Sequence, residues 1–176
     1  MSKVLVYIAK SEAAGINIEW QRQKAKGMLR DGLQTWLGET KFIPSIAKGV
    51  HGKPYLQNSD LYFNISHSQR YVVCAISDEE VGIDIQFHKK DEIDKVARRM
   101  MSAKEWQEYQ EASDKSKFFY DLWAKKESYI KYTGEGLSVD MRLINIEACV
   151  QEIAVAEQYS CMVCTKERAE VEERLN

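Results

Sequence analysis

The stretch LYFNISHSQRYVVCAISDEEVGIDIQF (Leu61–Phe87) decides the fold. Leu61, Phe63 and Ile65 alternate with polar neighbours, Tyr71–Ser77 is a nearly continuous apolar run, and Val81, Ile83 and Ile85 alternate with Gly82, Asp84 and Gln86. A period of two bounded by polar clusters marks β-strands. Ser66-His67-Ser68 and Asp78-Glu79-Glu80 read as the turns between them, and such short connections predict an antiparallel meander of three strands. Successive side chains on a strand point to opposite faces. Asp84 therefore shares a face with Gln86 and follows a residue without a side chain, which leaves room for a ligand.

Upstream, Val4–Lys10 reads as a first strand. Ile18–Leu37 reads as a helix, because Trp20, Met28, Leu29, Leu33, Trp36 and Leu37 recur at helical spacing. Its polar side carries Arg22, Lys24, Lys26 and Arg30, a local basic patch. A loop through Pro44 and Gly49 to His51-Gly52-Lys53-Pro54 leads into the meander. Downstream, Ile93–Tyr109 and Phe118–Tyr132 read as helices, the second closed by Gly134-Glu135-Gly136. Met141–Ala148, Val150–Ala156 and Tyr159–Thr165 read as three further strands, and Lys166–Asn176 as a charged, helical tail. Helix plus three strands thus occurs twice, and the strands starting at Tyr71 and Tyr159 lie 88 residues apart, half the chain length. The expectation is an α+β fold of two pseudo-symmetric halves, residues 1–87 and 88–176. Each is a long helix on a small, mainly antiparallel three-stranded sheet, with the active site at their interface.

Composition narrows the function. The 176 residues are 44% hydrophobic and 30% charged with 2 prolines, a balance that builds a packed core. Lys and Arg number 25 against 27 Asp and Glu, a net charge of −2, so no global basic field favours nucleic acid. The longest apolar runs are too short to span a bilayer. Strand-like sequence follows Met1-Ser2-Lys3 directly, without a signal peptide. Cys74, Cys149, Cys161 and Cys164 fit a reducing compartment, and a cytoplasmic monomer is expected. Cys161-Met-Val-Cys164 has the CxxC spacing but sits in strand-like sequence and lacks a second close pair, so it reads as buried strand cysteines. His51, His67 and His88 form no zinc motif. A metal here would take oxygen ligands.

In the Glu127 region, Phe119, Leu122, Trp123, Lys126 and Ile130 fall on one helical arc, placing Lys126 inside an apolar stripe with Glu127 at its edge. Lys131 lies one turn beyond Glu127. A lysine in such a stripe either snorkels or marks a level where the stripe meets a polar cleft. Neither a GxxxxGK[ST] nor a GxGxxG cradle is present.

Four segments in order, His51-Gly-Lys-Pro-Tyr-Leu56, Phe63-Asn-Ile-Ser-His-Ser68, Val81-Gly-Ile-Asp-Ile85 and Trp123-Ala-Lys-Lys-Glu-Ser-Tyr-Ile-Lys131, closely resemble the Sfp-type 4'-phosphopantetheinyl transferases, with 43 residues between Asp84 and Glu127. The resemblance covers roughly residues 50–165. It implies a Mg2+-dependent transfer of the phosphopantetheine arm from coenzyme A to a serine of an apo acyl, polyketide or peptidyl carrier protein, releasing adenosine 3',5'-bisphosphate. By the same resemblance Asp84, Gln86 and Glu127 would hold the metal. Lys131 would contact phosphate, and Glu127 would also serve as base for the carrier serine. Lys53, Ser66, His67 and Lys126 would hold coenzyme A, the histidine at its 3'-phosphate. Glu105 would have a secondary role.

Two departures stand out. Gln86 takes the place of a third acidic ligand, and the N-terminal region is short, so Arg22 and Lys24 are assigned to coenzyme A from the basic patch alone. A catalytically weak coenzyme A- or carrier-binding module is the alternative reading. Carrier proteins of this kind are acidic, and His88–Lys104 holds six basic residues against three acids. Arg98, Arg99, Met100 and Met101 are therefore expected to dock the carrier through electrostatic steering and adaptable apolar contact. No membrane or nucleic-acid partner is expected.

Overall fold

In the computed structural model the Leu61–Phe87 stretch forms three strands, but only two of them pair with each other. The structure describes residues 2–13, 15–89, 93–136 and 139–176. Strands β1 (Lys3–Lys10), β4 (Tyr62–Ser68), β5 (Tyr71–Ser77) and β9 (Glu170–Leu175) make one sheet, ordered β4-β5-β1-β9. Strands β6 (Gly82–Phe87), β7 (Cys149–Glu152) and β8 (Tyr159–Thr165) make a second, ordered β6-β8-β7. A small hairpin of β2 (Ile46–Lys48) and β3 (Pro54–Leu56) occupies the expected loop.

The two sheets stack. Val4, Val6, Ile8, Val73 and Ala75 of the first face Ile83, Ile85, Cys161 and Val163 of the second in a shared buried core. Helix α1 (Ile18–Leu37) covers the opposite face of the first sheet with Met28, Leu29 and Leu33 against Leu5, Tyr7, Phe63, Val72 and Ile76. Helix α4 (Lys115–Thr133) covers the outer face of the second sheet. Asp114 caps its start, and Gly134, at φ +74°, ends it in the left-handed conformation. The layers thus run α1, sheet, sheet, α4.

Several expectations are corrected. The meander fails at β6, whose apolar side, Ile83 and Ile85, packs into the inter-sheet core and whose ladder partner is β8, with Asp84 opposite Met162. Ser66-His67-Ser68 is not a turn but the end of β4, paired residue by residue with Tyr71–Val73. The reversal comes at Gln69, which has φ +51°. The expected helix 93–109 is two helices, α2 (Ile93–Met100) and α3 (Ala103–Glu111), because Ser102 and Glu105 form a reciprocal capping box that starts a new helix. Met141–Ala148 is not a strand; it opens with a 3-10 turn, Met141–Leu143. The tail is not helical but β9, which runs parallel to β1 and carries Glu170, Glu172, Glu173 and Arg174, charges suited to an exposed sheet edge. Each sheet carries one long helix, but the sheets have four and three strands. Division of the chain at 87/88 would separate β6 from β8 and β1 from β9.

Among the described residues no helix is long and apolar enough to cross a membrane. All four cysteines are free thiols. Cys161 and Cys164 are buried on β8, as the strand reading expects, and burial pushes both thiols upward, Cys164 to about 12.

Candidate functional site

Gly82, Asp84 and Gln86 face α4. The approach is close because Gly82 has no side chain: a β-carbon there would stand 2.0 Å from the Ser128 carbonyl oxygen and 2.4 Å from the Tyr132 nitrogen. That proximity brings one helical turn, Glu127 to Lys131, onto the strand.

Asp84 is 2% exposed, and both its oxygens are engaged. Lys131 Nζ donates to Oδ1 at 2.6 Å, the Ser66 hydroxyl donates to the same oxygen at 3.0 Å, and Gln86 Nε2 donates to Oδ2 at 2.7 Å. Lys131 also donates to Ser66 Oγ at 3.0 Å and to the Ile83 carbonyl at 3.1 Å. A buried carboxylate is tolerated when it is paired and hydrogen-bonded in this way.

Glu127 sits beside this cluster. Burial pushes its carboxyl above the ordinary carboxylate range, the negative charge of Asp84 pushes it further, and Lys131 opposes both. Two neighbouring carboxylates, with the amide of Gln86 adjacent, form an oxygen donor set of the kind a hard divalent cation takes in company with substrate phosphate. Among the described residues no group of three or more His, Cys, Asp or Glu side chains is placed to hold a metal ion, in keeping with an amide at position 86.

Glu127 and Lys131 also line a cavity of about 280 Å³ with Lys53, Pro54, Asn64, Gly134 and others. Lys53 enters it from the loop before β3. Its ammonium donates to the Tyr132 carbonyl at 2.9 Å in the last turn of α4 and pairs with Glu80. The position suits a cation at a helix C-terminus. Lys53, Glu127 and Lys131 thus line one cavity, and Lys131 ties it to Asp84 and Ser66, with Gln86 bonded to Asp84 behind them; the six residues come from four separate segments of chain.

Other assigned residues lie elsewhere. His67 is exposed on the face of β4 opposite to Ser66, the side that α1 covers. Arg22 is exposed on α1, and Lys24 donates to Asn176 Oδ1 at 2.8 Å; neither lines the cavity that Glu127 and Lys131 share. Lys126, expected on coenzyme A, is 1% exposed and enclosed by three oxygens. It donates to Glu105 Oε2 at 2.6 Å, the Met141 carbonyl at 2.7 Å and the Met100 carbonyl at 2.9 Å. Its place in the apolar stripe reflects a buried ion pair that ties α4 to the α2–α3 junction, and Glu105 is the counter-charge. Met100 and Met101, expected on a docking surface, are 2% and 4% exposed and belong to the core of α2, α3 and α4. Arg98 lies over the Trp106 ring at 4.5 Å, and Arg99 is exposed beside a second depression that Glu127 also lines. Lys90, Asp91 and Glu92 of the basic segment lie outside the described residues.

Sequence reasoning passed over Asn64 and Ser68. They share a face of β4 with Ser66, and their side-chain oxygens accept from the Ile83 and Phe87 N–H groups, each at 3.0 Å. The alternation of β4 carries that signal once Ser66–Ser68 is read as strand.

The profile of the 4'-phosphopantetheinyl transferase superfamily matches residues 80–171. A 4'-phosphopantetheinyl transferase of Bacillus subtilis is 43% identical over 94 residues, 52% of this chain and 42% of the relative. The transferase gsp of Aneurinibacillus migulanus is 37% identical over 114 residues, 63% and 47% of the two chains. The transferase psf-1 of Bacillus pumilus is 35% identical over 142 residues, 69% and 60%. The chain thus spans about half the length of the curated relatives it matches. The match begins just before the Asp84 strand and runs through the Glu127 helix and both later strands of the second sheet, so Asp84 and Glu127 both fall inside it: the chain belongs to the 4'-phosphopantetheinyl transferase superfamily.

Proposed function

We propose that this chain transfers the 4'-phosphopantetheine arm from coenzyme A to a serine of an apo carrier protein in the cytoplasm, leaving adenosine 3',5'-bisphosphate. The observation that carries the proposal is the approach of Asp84 from β6 to Glu127 from α4, with Lys131 bonded to Asp84 and lining, with Glu127, the same cavity. Asp84, Gln86 and Glu127 would hold Mg2+, which when bound neutralises charge on the diphosphate. Lys131 offers a cation to a phosphate oxygen from the edge of the cleft, while its other bonds keep the ammonium fixed. Glu127 is held above the ordinary carboxylate range, nearer the range in which a carboxylate accepts a proton usefully, and this suits it to take the proton of the incoming serine. Lys53 and Pro54 line the same cavity and would contact coenzyme A.

The carrier is expected at α2, where Arg99 presents positive charge at the rim of the depression that Glu127 lines and Arg98 adds an exposed charge beside it, over the Trp106 ring. Met100 and Met101 hold that helix in place from the core. Steering of an acidic partner by these arginines weakens with salt.

The bond from Gln86 Nε2 to Asp84 Oδ2 favours a second reading. An amide already satisfying that oxygen suits a module that binds coenzyme A or a carrier without turning it over. One experiment separates the two: the protein is incubated with coenzyme A, Mg2+ and a panel of apo carriers, and the carriers are weighed. A mass gain of one phosphopantetheinyl group supports the transferase. Binding of coenzyme A with every carrier unmodified supports the module. Charge reversal of Arg98 and Arg99 should raise the carrier KM several-fold and leave the coenzyme A KM unchanged; an unaltered carrier KM rejects the docking assignment.

A further inference from the structure

Strand β6 is the outer strand of its sheet, so its alternate N–H groups, those of Ile83, Ile85 and Phe87, point away from β8. Strand β4 is the outer strand of the other sheet. The two edges lie side by side, yet no backbone ladder joins them. Three side chains at a period of two along β4 do so instead. Asn64 Oδ1 accepts from the Ile83 N–H at 3.0 Å, Ser66 Oγ from the Ile85 N–H at 3.3 Å, and Ser68 Oγ from the Phe87 N–H at 3.0 Å. Each acceptor answers one orphan donor of the edge, and an N–H left buried without a partner is strongly disfavoured.

The middle member connects this clasp to the cleft. Ser66 Oγ accepts from Ile85 N–H and from Lys131 Nζ and donates its proton to Asp84 Oδ1. One hydroxyl thus reads the register of β6 and the position of the Asp84 carboxylate together. A shift of the β6 register by one residue would turn Asp84 into the inter-sheet core.

We propose that Asn64 and Ser68 are positioning residues: by clamping β6 on either side of Ile85 they fix Asp84 against Ser66 and Lys131, and with it the oxygen donors available to the cation. The consequence for catalysis rests on the transferase reading above, whereas the clasp itself can be tested without it.

Amide hydrogen exchange followed by NMR reads the clasp directly. In the wild-type chain the Ile83, Ile85 and Phe87 amides should be protected despite their place on a sheet edge. Ser68→Ala should speed exchange at Phe87 about tenfold or more while leaving the Leu5 and Val73 amides of the first sheet unchanged. Ser68→Thr, which keeps the acceptor, should restore protection. Asn64→Ala should speed exchange at Ile83 to a similar degree. Should an alanine variant fail to fold, Ser68→Cys, similar in size and a weak acceptor, takes its place. In the transfer assay the two alanine variants should raise the Mg2+ concentration for half-maximal rate about tenfold, as losses of supporting hydrogen bonds around metal ligands do. Ser68→Thr should bring it back. Unchanged exchange at Phe87 and Ile83, or lost protection with an unchanged Mg2+ requirement, overturns the proposal. A wild-type chain that protects these amides but never modifies a carrier overturns the transferase reading and leaves the clasp standing.

Discussion

Gly82 and Ser128 meet backbone to backbone: a β-carbon on Gly82 would stand 2.0 Å from the Ser128 carbonyl oxygen. Neither group can yield cheaply, because one lies in a strand buried on both faces and the other in the middle of α4. Gly82→Ala should therefore lift α4 from β6, separating Glu127 and Lys131 from Asp84. Overpacking of this kind costs about 1–3 kcal/mol. The urea midpoint should fall accordingly, and transfer should be nearly lost even in the fraction that remains folded. Unimpaired transfer in that fraction would show that the close approach is not required.

Lys131 supplies the only ammonium within hydrogen-bonding distance of Asp84 among the described residues. Lys131→Met should leave a buried carboxylate unpaired and destabilise the chain by about 3 kcal/mol. Adding Asp84→Asn to that variant should recover much of the loss, since the remaining amide carries no charge. Urea denaturation of the two single variants and the double variant measures the coupling. Additive losses would mean the pair is energetically idle.

Glu127 has its carboxyl raised in the folded state by burial and by Asp84. Between the ordinary carboxylate value and the raised one, the unfolded chain has lost this proton and the folded chain still holds it. The unfolded state then binds fewer protons, so this group makes stability fall as pH rises through that window and leaves a constant penalty above it. Glu127→Gln removes the term. Denaturation from pH 4 to 7 should show the variant gaining on the wild type as pH rises and ending more stable at neutral pH in the absence of divalent cations, while its transfer activity is nearly abolished. A wild type that gains on the variant would contradict the raised carboxyl.

Gln86→Glu would set a third carboxylate against Asp84 Oδ2, where an amide N–H now donates at 2.7 Å. Without divalent cations the melting temperature should drop by several degrees. With saturating Mg2+ the variant should gain more than the wild type does, and transfer should survive at a lower Mg2+ requirement. Inactivity at every Mg2+ concentration would assign the amide a role that charge alone does not describe.

The local patterns were legible. The alternation of Val81–Gln86 places Asp84 on a face with Gly82 and Gln86, the helical period of Ile18–Leu37 returns that helix at its observed bounds, and the order of the four motifs identifies the superfamily. These features depend on side chains a few residues apart, which sequence spacing describes directly. Pairing between distant segments is another matter. That β6 joins β8 rather than β5, that the charged tail joins β1, and that Lys126 turns into a buried pair with Glu105 rather than toward the cleft all depend on which edge or cavity stands free once the layers have stacked. An edge N–H or a buried ammonium takes whatever acceptor the packed neighbours present, and those neighbours come from all parts of the chain. The sequence alone therefore determined which chemical groups the chain carries and on which local face each one lies; the tertiary structure alone decided which of them meet.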